Sequence, residues 1–187
     1  MPQTPWRAIY QQDLRATGLL DAPLSIRIKD RRFRFYRSLR MAEYYTDSRR
    51  GLFGRLLGKL LRFRHDLLCQ RYGWTIPIHV FGPGLAIVHV GTIVVSGDAK
   101  IGKNCRLNVC TNIGRAETSA GIGAPVLGDN VYLGPGAKLF GPIVIGDDTA
   151  IGANAVVNRS FPEGHCTLAG VPARVVSDKG SERFILS

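Results

Sequence analysis

The chain has 187 residues, 25 Lys+Arg against 14 Asp+Glu, and a formal net charge of +11. That length supports one domain, or one domain with an extension, and a core that needs no disulfide staples. With 45% hydrophobic and 21% charged residues, wholesale disorder is excluded, and no apolar run reaches the ~18 residues of a membrane span.

The first stretch, MPQTPWRAIYQQDLRATG, lacks the apolar centre of a signal peptide, so export by that route is not expected. Cys69, Cys105, Cys110 and Cys166 have no paired spacing. They read as reduced thiols of a cytoplasmic protein. The charge is uneven. Residues 1–75 hold 16 of the Lys+Arg and 6 of the Asp+Glu, whereas only 4 of the 22 glycines precede Gly73. The chain therefore divides near Tyr72-Gly73-Trp74 into a basic N-terminal segment (1–75) and a glycine-rich remainder.

Residues 8–71 predict helices. Arg32 to Met41 is basic with interleaved aromatics, and Leu52 to Leu68 sets Leu56, Leu57, Leu60, Leu61, Phe63 and Leu67 at spacings of three and four. That is an amphipathic pattern. Asp47 or Ser48 is placed to cap it, and Arg49, Arg50, Arg55, Lys59, Arg62 and Arg64 decorate it. The favoured reading packs the leucine face on the rest of the protein or on a sister subunit. A peripheral contact with anionic lipid is the second reading. Nucleic acid is set aside, because no recognition module accompanies the charge.

Past residue 80 the sequence repeats every six residues. Val95-Ser96, Ile101-Gly102, Leu107-Asn108 and Ile113-Gly114 lead the hexads; after an interruption, Leu127-Gly128, Leu133-Gly134, Leu139-Phe140, Ile145-Gly146, Ile151-Gly152 and Val157-Asn158 continue them. Four residues after most leads stands a small or β-branched residue, as at Ala99, Cys105, Thr111, Val131, Ala137, Ile143, Thr149 and Ala155. Neither a helix nor a half-buried strand has this period; a coil of short strands does, with about 18 residues per three-sided turn. Phe81-Gly82 and Ile87-Val88 extend the series upstream, giving about four coils.

Residues 76–176 resemble the hexapeptide-repeat acyltransferases, in the serine acetyltransferase-like branch and especially its members from capsule and polysaccharide gene clusters. The strings that carry this are IVHVGTIVV from Ile87, AKIGKNC from Ala99, GDNVYLGPGAK from Gly128 and AGVPARVV from Ala169, with YRSLRMAEYY from Tyr36. The resemblance implies a mainly β fold: a left-handed parallel β-helix of about four coils behind an N-terminal α-helical segment, with 177–187 as a C-terminal tail. It also implies a homotrimer, acetyl-CoA as co-substrate, no metal, and an acetyl group moved to a hydroxyl of a sugar or sugar-like acceptor in polysaccharide biosynthesis. Serine O-acetylation, N-acetylation of a nucleotide-linked amino sugar, and a non-enzymatic β-helix scaffold are the alternatives.

His89 is the candidate general base. The Phe81 and Ile87 leads put it two places after a lead and facing outward, whereas the frame of Val95 carried backwards would turn it inward. The first frame is preferred, and the resemblance places the family's catalytic histidine in this string. Imidazole titrates near neutral pH, as a base for hydroxyl attack on a thioester must. His65 and His165 read as structural; His79 is a second acceptor-side candidate. No Asp or Glu occurs between Asp66 and Asp98, and Trp74 stands near the family's aspartate one coil upstream. Val88 replaces the family's acid before the histidine, and Ala124 its second histidine. These departures argue against serine as acceptor.

The interruption, Arg115 to Pro125, reads as a loop thrown over a neighbouring subunit's site. Its sole carboxylate, Glu117, and Trp74 are tentative acceptor contacts. For the donor, the resemblance implies pantetheine running past Gly114, Gly134, Pro135 and Ala153, with Arg174 meeting a CoA phosphate.

Overall fold

A computed structural model of the chain describes residues 5–47, 51–118 and 121–185. Four helices come first: α1 (Trp6–Ala16), α2 (Leu24–Lys29), α3 (Arg31–Asp47) and α4 (Gly51–Tyr72). Pro5 precedes α1, and the Thr17 hydroxyl closes it by donating to the carbonyls of Asp13 and Leu14, each at 3.0 Å. Asp30 ends α2 in extended backbone and caps α3, its carboxylate accepting the Arg32 N–H at 2.9 Å, as an N-cap aspartate does. Asp47 is the last residue of α3. Ser48, Arg49 and Arg50 lie outside the described residues.

The remainder coils. One sheet stacks β1 (Trp74–Thr75), β3 (Ile93–Val95), β6 (Thr111–Gly114), β11 (Lys138–Phe140) and β14 (Val156–Val157) in parallel. A second stacks β2 (Ala86–Ile87), β5 (Arg106–Leu107), β10 (Tyr132–Leu133), β13 (Ala150–Ile151) and β15 (Thr167–Gly170), and β16 (Ala173–Ser177) closes it antiparallel. The third holds β4 (Lys100–Ile101), β9 (Val126–Leu127) and β12 (Val144–Ile145), with bridges Phe81–Ile101 and Ile145–Phe161 at its two ends. β7 (Ala116–Thr118) and β8 (Gly121–Gly123) form a hairpin standing off the coil. The chain visits the first, third and second sheets in turn, so the product is a three-sided parallel β-helix.

The hexad leads are its core. Leu107, Ile113, Leu133, Leu139, Ile151 and Val157 are fully buried, as are Val131, Ala137, Thr149 and Ala155 four residues after their leads. The stack is five strands deep, one level more than the hexad count predicts. Ile76, Phe161 and Leu168 complete the end coils at spacings that break the period of six. At one corner, Gly84, Asn104, Asn130 and Asp148 all take positive φ. Side-chain amides tie that corner together: Asn104 donates to Asn130 and Asn130 to Asp148, each at 2.8 Å. Asparagine and aspartate tolerate this backbone better than other residues with a Cβ. Cys105 faces the core, where burial pushes its thiol up. Cys110 is exposed at a corner with φ of 60°.

The two materials share one core. Leu14, Phe35, Tyr36 and Leu39 join the same apolar cluster as the hexad leads. Helix α4 ends at Tyr72, and Trp74 already pairs with Ile93 in the first coil. The terminal segment is packed as well: Phe184 stacks on Tyr132 at 4.1 Å, and Ser181 is buried.

A buried ion pair locks the helices to the first coil. Arg40 is 2% exposed and Asp13 fully buried, and they meet at 2.7 and 3.0 Å. Arg40 also donates to the carbonyls of Phe81 and Gly82, and Asp13 accepts the N–H groups of Gly84 and Leu85. Helix α4 does not pack as the leucine pattern predicts. It buries Gly54, Gly58, Leu61, His65, Cys69 and Tyr72, and leaves Leu56, Leu60, Phe63 and Leu67 exposed. The reason is the closeness of α3: a Cβ on Gly58 would lie 2.8 Å from the Tyr45 carbonyl.

Candidate active site

His89 lies in the corner between β2 and β3. Ala86 pairs with Arg106, whereas Tyr132 pairs with Ala150, so this coil is two residues longer than a regular one. The extra length falls between the buried leads Ile87 and Val95. It pushes Val88, His89 and Val90 outward, and the His89 imidazole is exposed. Among the described residues, none hydrogen-bonds that ring. It borders a cavity of about 470 Å³ whose other wall is the α2–α3 junction, with Lys29, Asp30 and Arg32.

The corner is held from both sides through its main chain. The Arg32 guanidinium donates to the carbonyls of Ile87 and Val88 at 3.3 and 3.2 Å. Asp30 fixes that guanidinium with contacts of 2.7 to 3.1 Å. Burial would raise the Asp30 carboxyl, but hydrogen bonds from Arg32 outweigh it and hold the group below its ordinary value. On the far side the Trp74 indole N–H donates to the Gly91 carbonyl at 2.6 Å, and the Tyr36 hydroxyl accepts the Ile87 N–H at 2.7 Å. The imidazole, without a hydrogen-bond partner among the described residues, thus rides on a backbone held by three side chains, one of which Asp30 fixes in turn.

The sequence-predicted residues separate into those gathered here and those placed elsewhere. Strand register sets Ile87, Leu107, Leu133, Ile151 and Leu168 in one column. Two places after three of these leads stand His89, Pro135 and Ala153, so they share one corner, with Gly134 beside them. A Cβ on Gly134 would lie 2.8 Å from the Ala153 N, so the coils meet closely there. Arg174 is exposed on β16, opposite Ala169, at the far end of the same sheet. Gly114 is not in this column; it ends β6 on the neighbouring sheet.

Trp74, expected as an acceptor contact, is 2% exposed and packed edge-on against Phe35 and Tyr72. Its buried indole braces the corner instead. His79 is exposed but lines a different cavity, of about 500 Å³, with Arg40, Glu43 and Lys100. There its imidazole lies 3.4 Å from Asp47. Glu117 is exposed on the hairpin, opposite Ile122, and does not line the His89 cavity of its own chain. Ser119 and Ala120 of that loop lie outside the described residues. His65 is buried against the Ile76 carbonyl at 2.9 Å, and His165 is an exposed turn residue. Arg32, Asp30 and Tyr36 were missed by sequence reasoning. The one cue was the Asp-Arg-Arg string opening α3, which by itself reads as a helix cap.

Comparison with known proteins gives the class. The bacterial transferase hexapeptide (six repeats) family matches residues 124–159. The serine acetyltransferase of Synechococcus elongatus is 32% identical over 141 residues, 75% of this chain and 55% of the relative. The soybean serine acetyltransferase apoenzyme superposes with a TM-score of 0.73 at 28% identity, over 92% of this chain and 69% of that one. A Brucella abortus serine acetyltransferase solved in complex with coenzyme A shares the fold, with a TM-score of 0.69 at 24% identity over 94% of this chain and 69% of that one. The chain has the hexapeptide-repeat, left-handed β-helix fold, and over most of its length it is similar to serine acetyltransferases. It spans about half the length of the curated relatives it matches.

Proposed function

We propose that the protein transfers an acetyl group from acetyl-CoA to a hydroxyl, with His89 as general base. The observation that carries this is the exposed, unpartnered imidazole on a braced corner, at the head of a column that continues through Pro135 and Ala153. Neutral imidazole takes the hydroxyl proton as the acceptor oxygen attacks the thioester carbonyl. The C–O bond forms, the C–S bond breaks, and the departing thiolate recovers the proton from the imidazolium. No covalent enzyme intermediate is needed when both substrates are held together. The donor's pantetheine would follow Gly134, Pro135 and Ala153, where small residues leave the backbone accessible, toward Arg174; Gly114 would serve from the adjacent sheet.

The names of the relatives favour serine as the acceptor over the sugar and lend no support to polysaccharide assembly. A second reading, a sugar or sugar-like hydroxyl, keeps one specific support. The corner offers Val88 where the resemblance expects an acid, and the nearby Asp30 is committed to Arg32. A homotrimer in the cytoplasm belongs to the proposal, with the Glu117 hairpin reaching a neighbouring subunit's site. Peripheral membrane contact through the basic helices is a separate, independently testable part.

The experiment is release of free CoA thiol with serine and with a panel of sugar acceptors. His89→Ala should lower turnover by about 10²–10⁴, the range of a general base, while acetyl-CoA affinity stays near normal. Near-normal turnover in that variant removes His89 from the mechanism.

A further inference from the structure

Helix α4 has a second apolar face that none of the described residues covers. At about 100° per residue, Phe53, Leu56, Leu60, Phe63 and Leu67 fall on the side opposite Gly54, Gly58, Leu61 and His65. They are 49% to 80% exposed, and Leu52 is 86% exposed. Isolated exposed hydrophobics are ordinary, but a contiguous stripe marks a contact surface.

The spacing of three and four would suit a seam between two copies as well as a lipid surface. Charge decides between them. Lys59 borders one side of the stripe, with Asp66 (the helix's one acid), Arg55 and Arg62 successively further round, and Arg64 and Arg71 lie at its other edge. Two such helices laid stripe to stripe would oppose these cationic borders. An anionic bilayer accepts both features, since bulky apolar groups enter the headgroup boundary and cations meet phosphates. A cavity of about 470 Å³ between the end of α3 and α4 strengthens the case. Its walls include Leu52, Leu56, Gly58, Arg55, Lys59 and Arg62, and no acidic side chain.

We propose that the outer face of α4 docks the protein on an anionic phospholipid surface. The helix lies in the plane of the interface, with Arg55, Lys59 and Arg62 on headgroup phosphates. This does not depend on which acceptor is acetylated.

The test is co-sedimentation of the full chain with vesicles of phosphatidylcholine alone or mixed with phosphatidylglycerol. Binding is expected with the anionic vesicles only, weakening as salt screens the exposed charges. Leu60→Ser combined with Phe63→Ser should abolish it, as should Arg55→Gln with Lys59→Gln and Arg62→Gln. Both variants should keep the parent's circular dichroism and light-scattering mass, because these side chains lie outside the core. Absence of binding to anionic vesicles, or binding untouched by both variants, overturns the proposal. So does dissociation of the oligomer by the Leu60/Phe63 pair, which would make the stripe a protein–protein seam.

Discussion

Leucines at regular spacing occur in both halves of this molecule and come to opposite ends. In the coil, each lead projects into a prism whose walls are one strand wide, so it has nowhere else to go. Leu107, Leu133 and Leu139 are accordingly fully buried. On α4 the helix could turn any face to its neighbours, and the closest approach to α3 won. Gly58 admits the α3 backbone, and Leu56 and Leu60 are left on the outer side. The difference teaches that a repeat of fixed geometry dictates burial residue by residue, whereas an amphipathic helix dictates only that one face is buried.

The most damaging way to separate the two halves is at their charged joint. Arg40→Met would leave the Asp13 carboxylate buried without its counter-ion, a loss of about 3–5 kcal/mol by analogy with other broken buried pairs. Adding Asp13→Asn should recover much of it, because a neutral amide oxygen still accepts the Gly84 and Leu85 N–H groups. Urea denaturation of the single and double variants measures this. A single variant as stable as the parent would mean the helices are held by apolar contacts alone.

The leucine contrast can be read next. Leu107→Ala should cost about 2–5 kcal/mol, through lost burial and the cavity left between coils. Leu60→Ala, on the exposed face of α4, should stay within about 0.5 kcal/mol of the parent. Equal losses in thermal or urea melts would show that the α4 stripe is buried in the working assembly.

The coil was legible because period six has no rival explanation. Phe81 and Ile87 also revealed that His89 faces outward, since both proved to be buried leads. The ends of the stack were less legible: Ile76, Phe161 and Leu168 are leads whose spacing is not six, and strand pairing alone recruits them. The Asp13–Arg40 pair was hidden by its separation of 27 positions along the chain. Arg40 sits in a string of arginines that all read as a solvated face, and only the fold selects it for burial. The braces of the His89 corner were hidden for the same reason, since Arg32 and Trp74 act on main-chain carbonyls and leave no side-chain pattern. Trp74 drew notice as a missing aspartate rather than as a donor.

Trp74 offers a finer cut through the comparison, where a residue from the joint serves the chemistry of the coil. Trp74→Phe keeps an aromatic ring among Phe35 and Tyr72 but removes the donor to Gly91. One buried hydrogen bond is worth about 1 kcal/mol, so turnover should fall roughly fivefold with the Michaelis constants little changed. A rise in KM at constant kcat would instead make Trp74 part of a substrate pocket.

The smallest effect tests the helix side of the interface through pH. His65 is fully buried on α4; its Nε2 reaches the Ile76 carbonyl at 2.9 Å, and its Nδ1 has no partner. Burial, partly opposed by that carbonyl, lowers its pKa below the ordinary 6.5. The unfolded chain therefore binds a proton first as pH falls, and stability declines wherever the unfolded state holds more protons. The decline should begin near the ordinary histidine value, deepen as pH drops toward the lowered one, and be absent above neutrality. His65→Gln removes the titration, so the stability gap between parent and variant should narrow across that window. Carboxylate effects common to both proteins cancel in the difference. Urea melts at stepped pH supply it, and a gap constant from neutral to mildly acidic pH would mean that His65 takes up its proton in the folded protein as readily as in water.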